Sequence, residues 1–146
     1  MDYIENENKY EQIKKENQGF LRIFQEELEK KGLSEKTIRS HLGNVDFYIN
    51  SFLLYSEPIP MKDGIDYVDE FLGEFFIRKC MWSTPATIKG NAASLKKFYK
   101  CMADYGEVGM DEYKYLCELI RDNMEIWQED CRIYNDPDQE NPFFPF

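Results

Sequence analysis

The sequence is poor in the residues and motifs that build catalytic and metal sites. Its 146 residues include one histidine, His41, and four widely spaced cysteines, Cys80, Cys101, Cys117 and Cys131. Paired C-x-x-C spacing, which zinc sites need, does not occur. Glycine-rich phosphate loops, H-E-x-x-H and G-x-S-x-G do not occur either. We therefore expect reduced thiols, no metal, no cofactor and no enzymatic activity.

Long apolar runs are also missing, which argues against a membrane span. The N-terminal stretch MDYIENENKYEQ is acidic and polar, unlike a signal peptide. We therefore expect a cytoplasmic protein. Hydrophobic residues still make up 42% of the chain and aromatic residues 16%, enough for the core of one domain of this length.

Basic residues are scarce, and their distribution is uneven. The chain has 18 Lys and Arg against 28 Asp and Glu, a net charge of −10. Residues 1–100 hold 15 basic and 16 acidic residues, whereas residues 101–146 hold 3 and 12. The acidity is therefore concentrated in the last third of the chain.

Apolar residues recur at steps of three and four, which predicts an all-α domain of five helices. We expect them at about 8–31, 34–55, 65–80, 84–105 and 111–133. Ser34 and the Ser83-Thr84-Pro85 run are helix-start signals, and Gly32 and Gly106 are stop signals. The tail NDPDQENPFFPF has no helical period and receives no secondary structure.

The placement of the basic residues suggests a nucleic-acid surface. Lys89, Lys96 and Lys100 recur at i, i+7 and i+11 on the fourth helix, with Lys97 and Asn91 nearby. On the second helix, the candidates are Lys36, Arg39 and Ser40. Lysine and arginine beside amide and hydroxyl groups suit contact with phosphates. A merely solubilising surface is the alternative.

Three segments together resemble a known domain: GLSEKTIRSHLGNVDFYINSFL (32–53), IDYVDEFLGEFF (65–76) and STPATIKGNAASLKKFYKCMADYG (83–106). They resemble the N-terminal core-binding domain of tyrosine recombinases and phage integrases, a SAM-like helical bundle. The resemblance covers about residues 12–106. It implies a role in DNA integration or recombination by a mobile element, with the second and fourth helices facing duplex DNA. The DNA-contacting positions it selects are Lys36, Arg39, Ser40, Thr87, Lys89, Asn91, Lys96, Lys97 and Lys100.

The chain departs from that family in two respects. No His follows His41, so the Arg, His-x-x-Arg and Tyr of the recombinase catalytic domain have no counterpart here. An acidic fifth helix stands where the linker to that domain would be. We expect three parts: a core-binding-like bundle (1–109), an acidic helix packed on it (110–134), and a Pro/Phe-rich tail (135–146). The acidic helix could point away from the basic stripes or cover them.

The sequence thus favours a non-catalytic DNA-binding module. The alternative is a protein-interaction or regulatory module that does not bind DNA. In that case the acidic helix and the aromatic tail would engage a recombinase subunit or a second copy of the chain. The candidate contacts are Trp127, Phe143, Phe144 and Phe146. The three phenylalanines could instead fold back on their own core.

Overall fold

The computed structural model describes residues 2–138, with side chains from residue 4 onward. This range is 81% helical and contains no strand, so the prediction of an all-α, five-helix domain is confirmed. We label the helical segments α1 to α5. Their bounds are α1, Asp2–Lys30; α2, Glu35–Asp46, continued by a π-helical turn, Phe47–Phe52; α3, formed by Met61–Tyr67, Val68–Glu70, Phe71–Phe75 and Phe76–Lys79; α4, Pro85–Asp104; and α5, Met110–Asn135.

The start signals at Ser34 and Thr84 and the stop signals at Gly32 and Gly106 act as the sequence predicts, whereas α5 begins after Gly109 rather than with Asp111 as its cap. The Ser34 hydroxyl caps α2 by accepting a hydrogen bond from the Thr37 amide at 3.2 Å. Thr84 caps α4, and the Thr84 amide donates in return to Thr87 Oγ1 at 2.7 Å. Gly32 and Gly106 follow α1 and α4 with φ of 75° and 78°, a backbone conformation that glycine adopts without steric cost.

The apolar faces of all five helices meet in one core. α4 lies at its centre, where Phe98 contacts Phe24 of α1 edge to face at a centroid distance of 5.4 Å. α5 contributes the fully buried Leu116 and Cys131, so this helix is part of the hydrophobic core. α5 runs antiparallel to α4, because Gln128 near its end donates to the carbonyl of Pro85 at the start of α4, at 2.9 Å.

Three segments differ from their predicted form. α1 begins at Asp2 rather than near residue 8. The sequence predicts α2 as one regular helix to residue 55, but the helix widens into the turn Phe47–Phe52. That turn brings Tyr48 and Phe52 each to 4.9 Å from Phe71, so aromatic packing takes precedence over regular helical hydrogen bonding. α3 begins as a 3-10 helix, Met61–Tyr67, where the sequence suggests mainly a loop.

Three of the four cysteines are buried, and none forms a disulfide within residues 2–138. Burial raises the pKa of the Cys80 and Cys101 thiols to about 11. Both therefore remain protonated and unreactive at neutral pH. No helix in the described part of the chain is long and apolar enough to span a bilayer.

Candidate nucleic-acid interface

α4 carries four lysines and no acidic residue before its last position, Asp104. Lys89, Lys96 and Lys97 are exposed and form no ion pair with any residue in the described range. The sequence between Glu74 and Asp104 contains no acidic residue. It contains these basic residues: Arg78, Lys79, Lys89, Lys96, Lys97 and Lys100. A chain of net charge −10 therefore keeps one continuous segment that is entirely basic in its charged residues.

Two of the predicted contacts are held in ion pairs within their own helices. Lys100 Nζ lies 2.8 Å from Asp104 Oδ1, and Arg39 lies 3.6 Å from Glu35. Arg39 also lies in the groove between α1 and α2. Exposed pairs of this kind are worth at most about 1 kcal/mol, so phosphates could displace the carboxylates. These two residues nevertheless present less free positive charge than Lys89, Lys96 and Lys97.

A group of hydrogen-bonded polar side chains around Ser94, which we call the Ser94 seam, joins α2 to α4. The fully buried Ser94 hydroxyl donates to the Gly90 carbonyl at 3.1 Å. Its oxygen accepts from Asn44 Nδ2 at 3.0 Å and lies 2.8 Å from His41 Nδ1. Burial and the nearby charge of Lys97 lower the pKa of His41, so its ring is neutral at pH 7. The neutral ring then carries its proton on Nδ1 and donates to Ser94, which fixes α2 against α4.

The exposed face of α2 adds polar groups to this surface. Lys36 and Ser40 lie one turn apart and are both exposed. The Lys36 ammonium group forms no ion pair with residues 2–138. We refer to Lys36, Ser40, Lys89, Lys96 and Lys97 as the α2–α4 basic surface.

Two polar residues expected to reach DNA do not face solvent freely. Asn91 is only 6% exposed, and its side chain donates to the Thr87 carbonyl at 2.9 Å. The Thr87 hydroxyl is engaged in the cap of α4. Both side chains are thus engaged within α4, and the predicted contact of Asn91 and Thr87 with DNA would require these hydrogen bonds to break. The burial of Asn91 could have been predicted from helical spacing, since it lies between Ile88 and Leu95 on the buried stripe of α4.

Trp127, expected to contact a partner, is part of the core. It is 2% exposed, and its indole Nε1 donates to Asp69 Oδ1 at 2.8 Å. A partner therefore cannot reach this side chain without unfolding α5. The other expected partner contacts, Phe143, Phe144 and Phe146, lie outside the described residues.

Five of the acidic residues of α3 and α5 lie together. One cleft between these helices is lined by the carboxylates of Asp66, Asp69, Glu70, Glu74 and Asp130. Burial and the neighbouring Glu129 raise the pKa of Asp130. Throughout residues 2–138, no carboxylate of α5 pairs with an α4 lysine. The acidic helix therefore does not cover the basic stripes, the second arrangement considered above.

Sequence reasoning missed an exposed apolar pair beside the start of α4. Met81 is 99% exposed and Trp82 is 59% exposed. The Trp82 ring rests edge-on against Phe47 at 5.9 Å and Phe76 at 6.4 Å. The available signal was position, because Trp82 lies two residues before the cap Thr84 and belongs to no apolar stripe.

The geometry offers no metal centre, since no three His, Cys, Asp or Glu side chains between residues 2 and 138 are grouped to hold an ion. Catalytic motifs are likewise absent from the sequence. A scan against protein-family models finds no match for this chain, and searches of curated proteins and of solved structures find none either.

Proposed function

We propose that this protein is a non-catalytic module that binds duplex DNA through the α2–α4 basic surface. The observation that carries the proposal is the acid-free segment between Glu74 and Asp104, in which Lys89, Lys96 and Lys97 form no ion pair with residues 2–138. The resemblance to recombinase core-binding domains independently selects the same two helices. On that basis we place the protein in DNA integration or recombination by a mobile element, inside the cell.

The spacing of the lysines suits a phosphate backbone. Lys89 and Lys96 are separated by about 10 Å along the axis of α4. That distance corresponds to the rise of about three nucleotides along the axis of B-DNA. Lys97 and Lys36 extend the surface toward α2, while the Ser94 seam keeps both helices in register. Binding would therefore come mainly from phosphate contacts, with little direct readout of bases.

The net charge of −10 opposes this binding but does not cancel it. At physiological ionic strength, charges on other faces are screened beyond about 8 Å. The carboxylates of the α3–α5 cleft lie on helices other than those that carry the basic surface. We therefore expect weak and strongly salt-dependent affinity.

The test is fluorescence anisotropy with a labelled duplex of about 30 base pairs at about 50 and about 200 mM salt. The variant Lys89→Gln/Lys96→Gln/Lys97→Gln removes the unpaired α4 charges. The control Lys14→Gln/Lys15→Gln/Lys30→Gln makes the same change in net charge on exposed positions of α1.

We expect the α4 variant to bind at least about tenfold more weakly, and its salt slope to fall by about 0.9 for each phosphate that the variant no longer neutralises. The control should stay close to the unmodified chain. Equal weakening in both variants would mean that only net charge matters, and unchanged affinity in both would refute the proposed surface.

The acidic cleft between α3 and α5 supports a second candidate function, docking of a basic protein surface. A recombinase subunit or a second copy of this chain would fit, because both would present lysine-bearing helices. Light scattering over a range of protein and salt concentrations tests the second copy. Association that is abolished in Asp66→Asn/Glu70→Gln would support docking at the cleft, whereas a constant monomer mass would exclude self-association there.

A further inference from the structure

We propose that a pocket between α3 and the loop that follows α2 binds a small alkylated ammonium ion. We call it the Tyr55 pocket, and its lining includes Phe52, Tyr55, Glu57, Tyr67, Glu70 and Phe75. None of its lining residues belongs to the α2–α4 basic surface. The inference therefore does not depend on DNA binding.

The Tyr55 pocket has a wall of aromatic rings. Its volume of about 540 Å³ lies within the range of roughly 300–1,000 Å³ that is typical of small-molecule sites. Tyr55 is 66% exposed, yet its ring contacts Phe75 edge to face at a centroid distance of 5.3 Å. Phe75 in turn packs against Phe52 at 4.8 Å. Contacts within the chain thus hold an exposed ring in place, so a ligand need not order it first.

Two π-helical turns meet at this pocket. Phe47–Phe52 ends α2, and Phe71–Phe75 is a second π-helical turn inside α3. The last residue of each turn, Phe52 and Phe75, lines the pocket. Single π-helical turns are rare and frequently lie at functional sites. Their convergence points to a binding site independently of the composition of the lining.

The loop 53–59 is held in place on both sides of the pocket wall. The Ile59 amide donates to the Leu53 carbonyl at 3.2 Å, which closes the loop on itself. The Tyr10 hydroxyl of α1 donates to the Ser56 carbonyl at 3.1 Å, which fastens the loop to the bundle. The shape of the pocket is therefore built into the fold, and this lowers the entropy cost of binding.

Charge indicates that the ligand is a cation. Three carboxylates and two basic groups line the pocket, which leaves one negative charge: Glu57, Glu70, Glu74, Arg78 and Lys79. Arg78 lies 3.5 Å from Glu74, so these two charges offset each other. Glu57 and Glu70 form no ion pair with residues 2–138 and outnumber Lys79. Aromatic rings attract quaternary ammonium groups through their negative faces, so the wall and the carboxylates favour the same ligand.

Three probes of similar shape and different charge test the ligand class. Choline carries a trimethylammonium group, neohexanol has carbon in place of its nitrogen, and the anion of tert-butylacetic acid is negative. Protein-detected NMR titration of the full chain measures each affinity. Choline should bind at least about fivefold more tightly than neohexanol, and the anion more weakly than both. The amide signals that shift should be those of residues 52–59 and 67–79.

A pair of variants tests the location. Tyr55→Ser/Glu57→Gln should weaken choline binding at least about fivefold. Both side chains are exposed, so the circular dichroism spectrum should stay unchanged. The control Tyr105→Ser/Glu107→Gln makes the same two changes at exposed positions after α4 and should bind choline as the unmodified chain does.

Four outcomes would overturn the proposal. Equal affinities for choline and neohexanol would show that the pocket recognises only apolar shape. Undetectable choline binding would refute the site itself, and equal loss in the two variants would place the binding elsewhere. A short peptide with one trimethyllysine carries the same group on a protein chain. Much tighter binding of that peptide than of choline would assign the pocket to a protein partner instead of a small molecule.

Discussion

The indole of Trp127 and the carboxylate of Asp69 join α5 to α3 through a 2.8 Å hydrogen bond. Gly73 of α3 makes this approach possible, since a Cβ atom there would lie 2.9 Å from Trp127 Nε1. The indole is otherwise buried in the core. α5 is thus attached to the bundle by both packing and a directed polar contact, at the edge of the acidic cleft.

Replacing Trp127 with Phe should destabilise the protein by about 1–3 kcal/mol, because the hydrogen bond disappears and the ring is smaller. Urea unfolding followed by circular dichroism measures the change. Asp69→Asn is the matched control, because it keeps the oxygen acceptor and should cost much less. Equal destabilisation in the two variants would show that the charge of Asp69, rather than the indole contact, governs stability.

A chain ending at Gly109 should fail to fold cooperatively. It would lack Leu116, Trp127 and Cys131, leaving the core beneath α5 exposed to water. Urea titration should then show a broad, shallow transition instead of a sigmoidal one. A sharp transition in the shortened chain would mean that α1 to α4 form an independent domain.

Two glycines should respond to alanine in opposite directions. A Cβ atom at Gly64 would overlap the Tyr99 hydroxyl and lie 2.9 Å from Leu53 Cδ1, so Gly64→Ala should cost about 3 kcal/mol. At Gly90 a Cβ atom meets nothing within 4 Å. Gly90→Ala should therefore stabilise α4 by about 0.5–1 kcal/mol. Thermal melts of the two variants provide the comparison, and a shift in the same direction for both would contradict this account.

Stability should fall as pH decreases from about 7.5 to about 5.5. Burial and Lys97 lower the pKa of His41 in the folded protein, whereas in the unfolded chain it is close to 6.5. The unfolded state therefore takes up the proton first, and acidification favours it. Urea midpoints across this range should decline more steeply in the unmodified chain than in His41→Gln. Equal declines of the urea midpoint in the two proteins would mean that groups other than His41 cause the pH dependence.

Local signals predicted the fold well. The caps at Ser34 and Thr84 and the stops at Gly32 and Gly106 act within a few residues, so they could be identified without the tertiary structure. The widened turn Phe47–Phe52 could not be predicted, because it depends on contacts with Phe71, a residue of the next helix along the chain. The 3-10 start of α3 similarly depends on Tyr99, whose hydroxyl donates to the Met61 carbonyl at 2.8 Å.

The candidate site was less predictable, since side-chain type does not determine direction. Lys89, Lys96 and Lys97 are exposed as their charge suggests, and whether they contact DNA stays a prediction. Asn91 and Trp127 have the polar and aromatic side chains typical of contact residues, but helix packing turns both inward. Trp82 escaped prediction because it lies in a loop, where periodicity carries no information about burial.

Because α4 is basic up to Asp104 and five carboxylates line the cleft between α3 and α5, the molecule carries an electric dipole moment in addition to its net charge. In the field of a polyanion such a body feels a torque as well as a repulsion, and it rotates its α4 side toward the source before contact. Orientation would thus be selected during diffusion, when the partners are still separated by solvent. The uneven order of charges along the chain would thereby determine which collisions are productive.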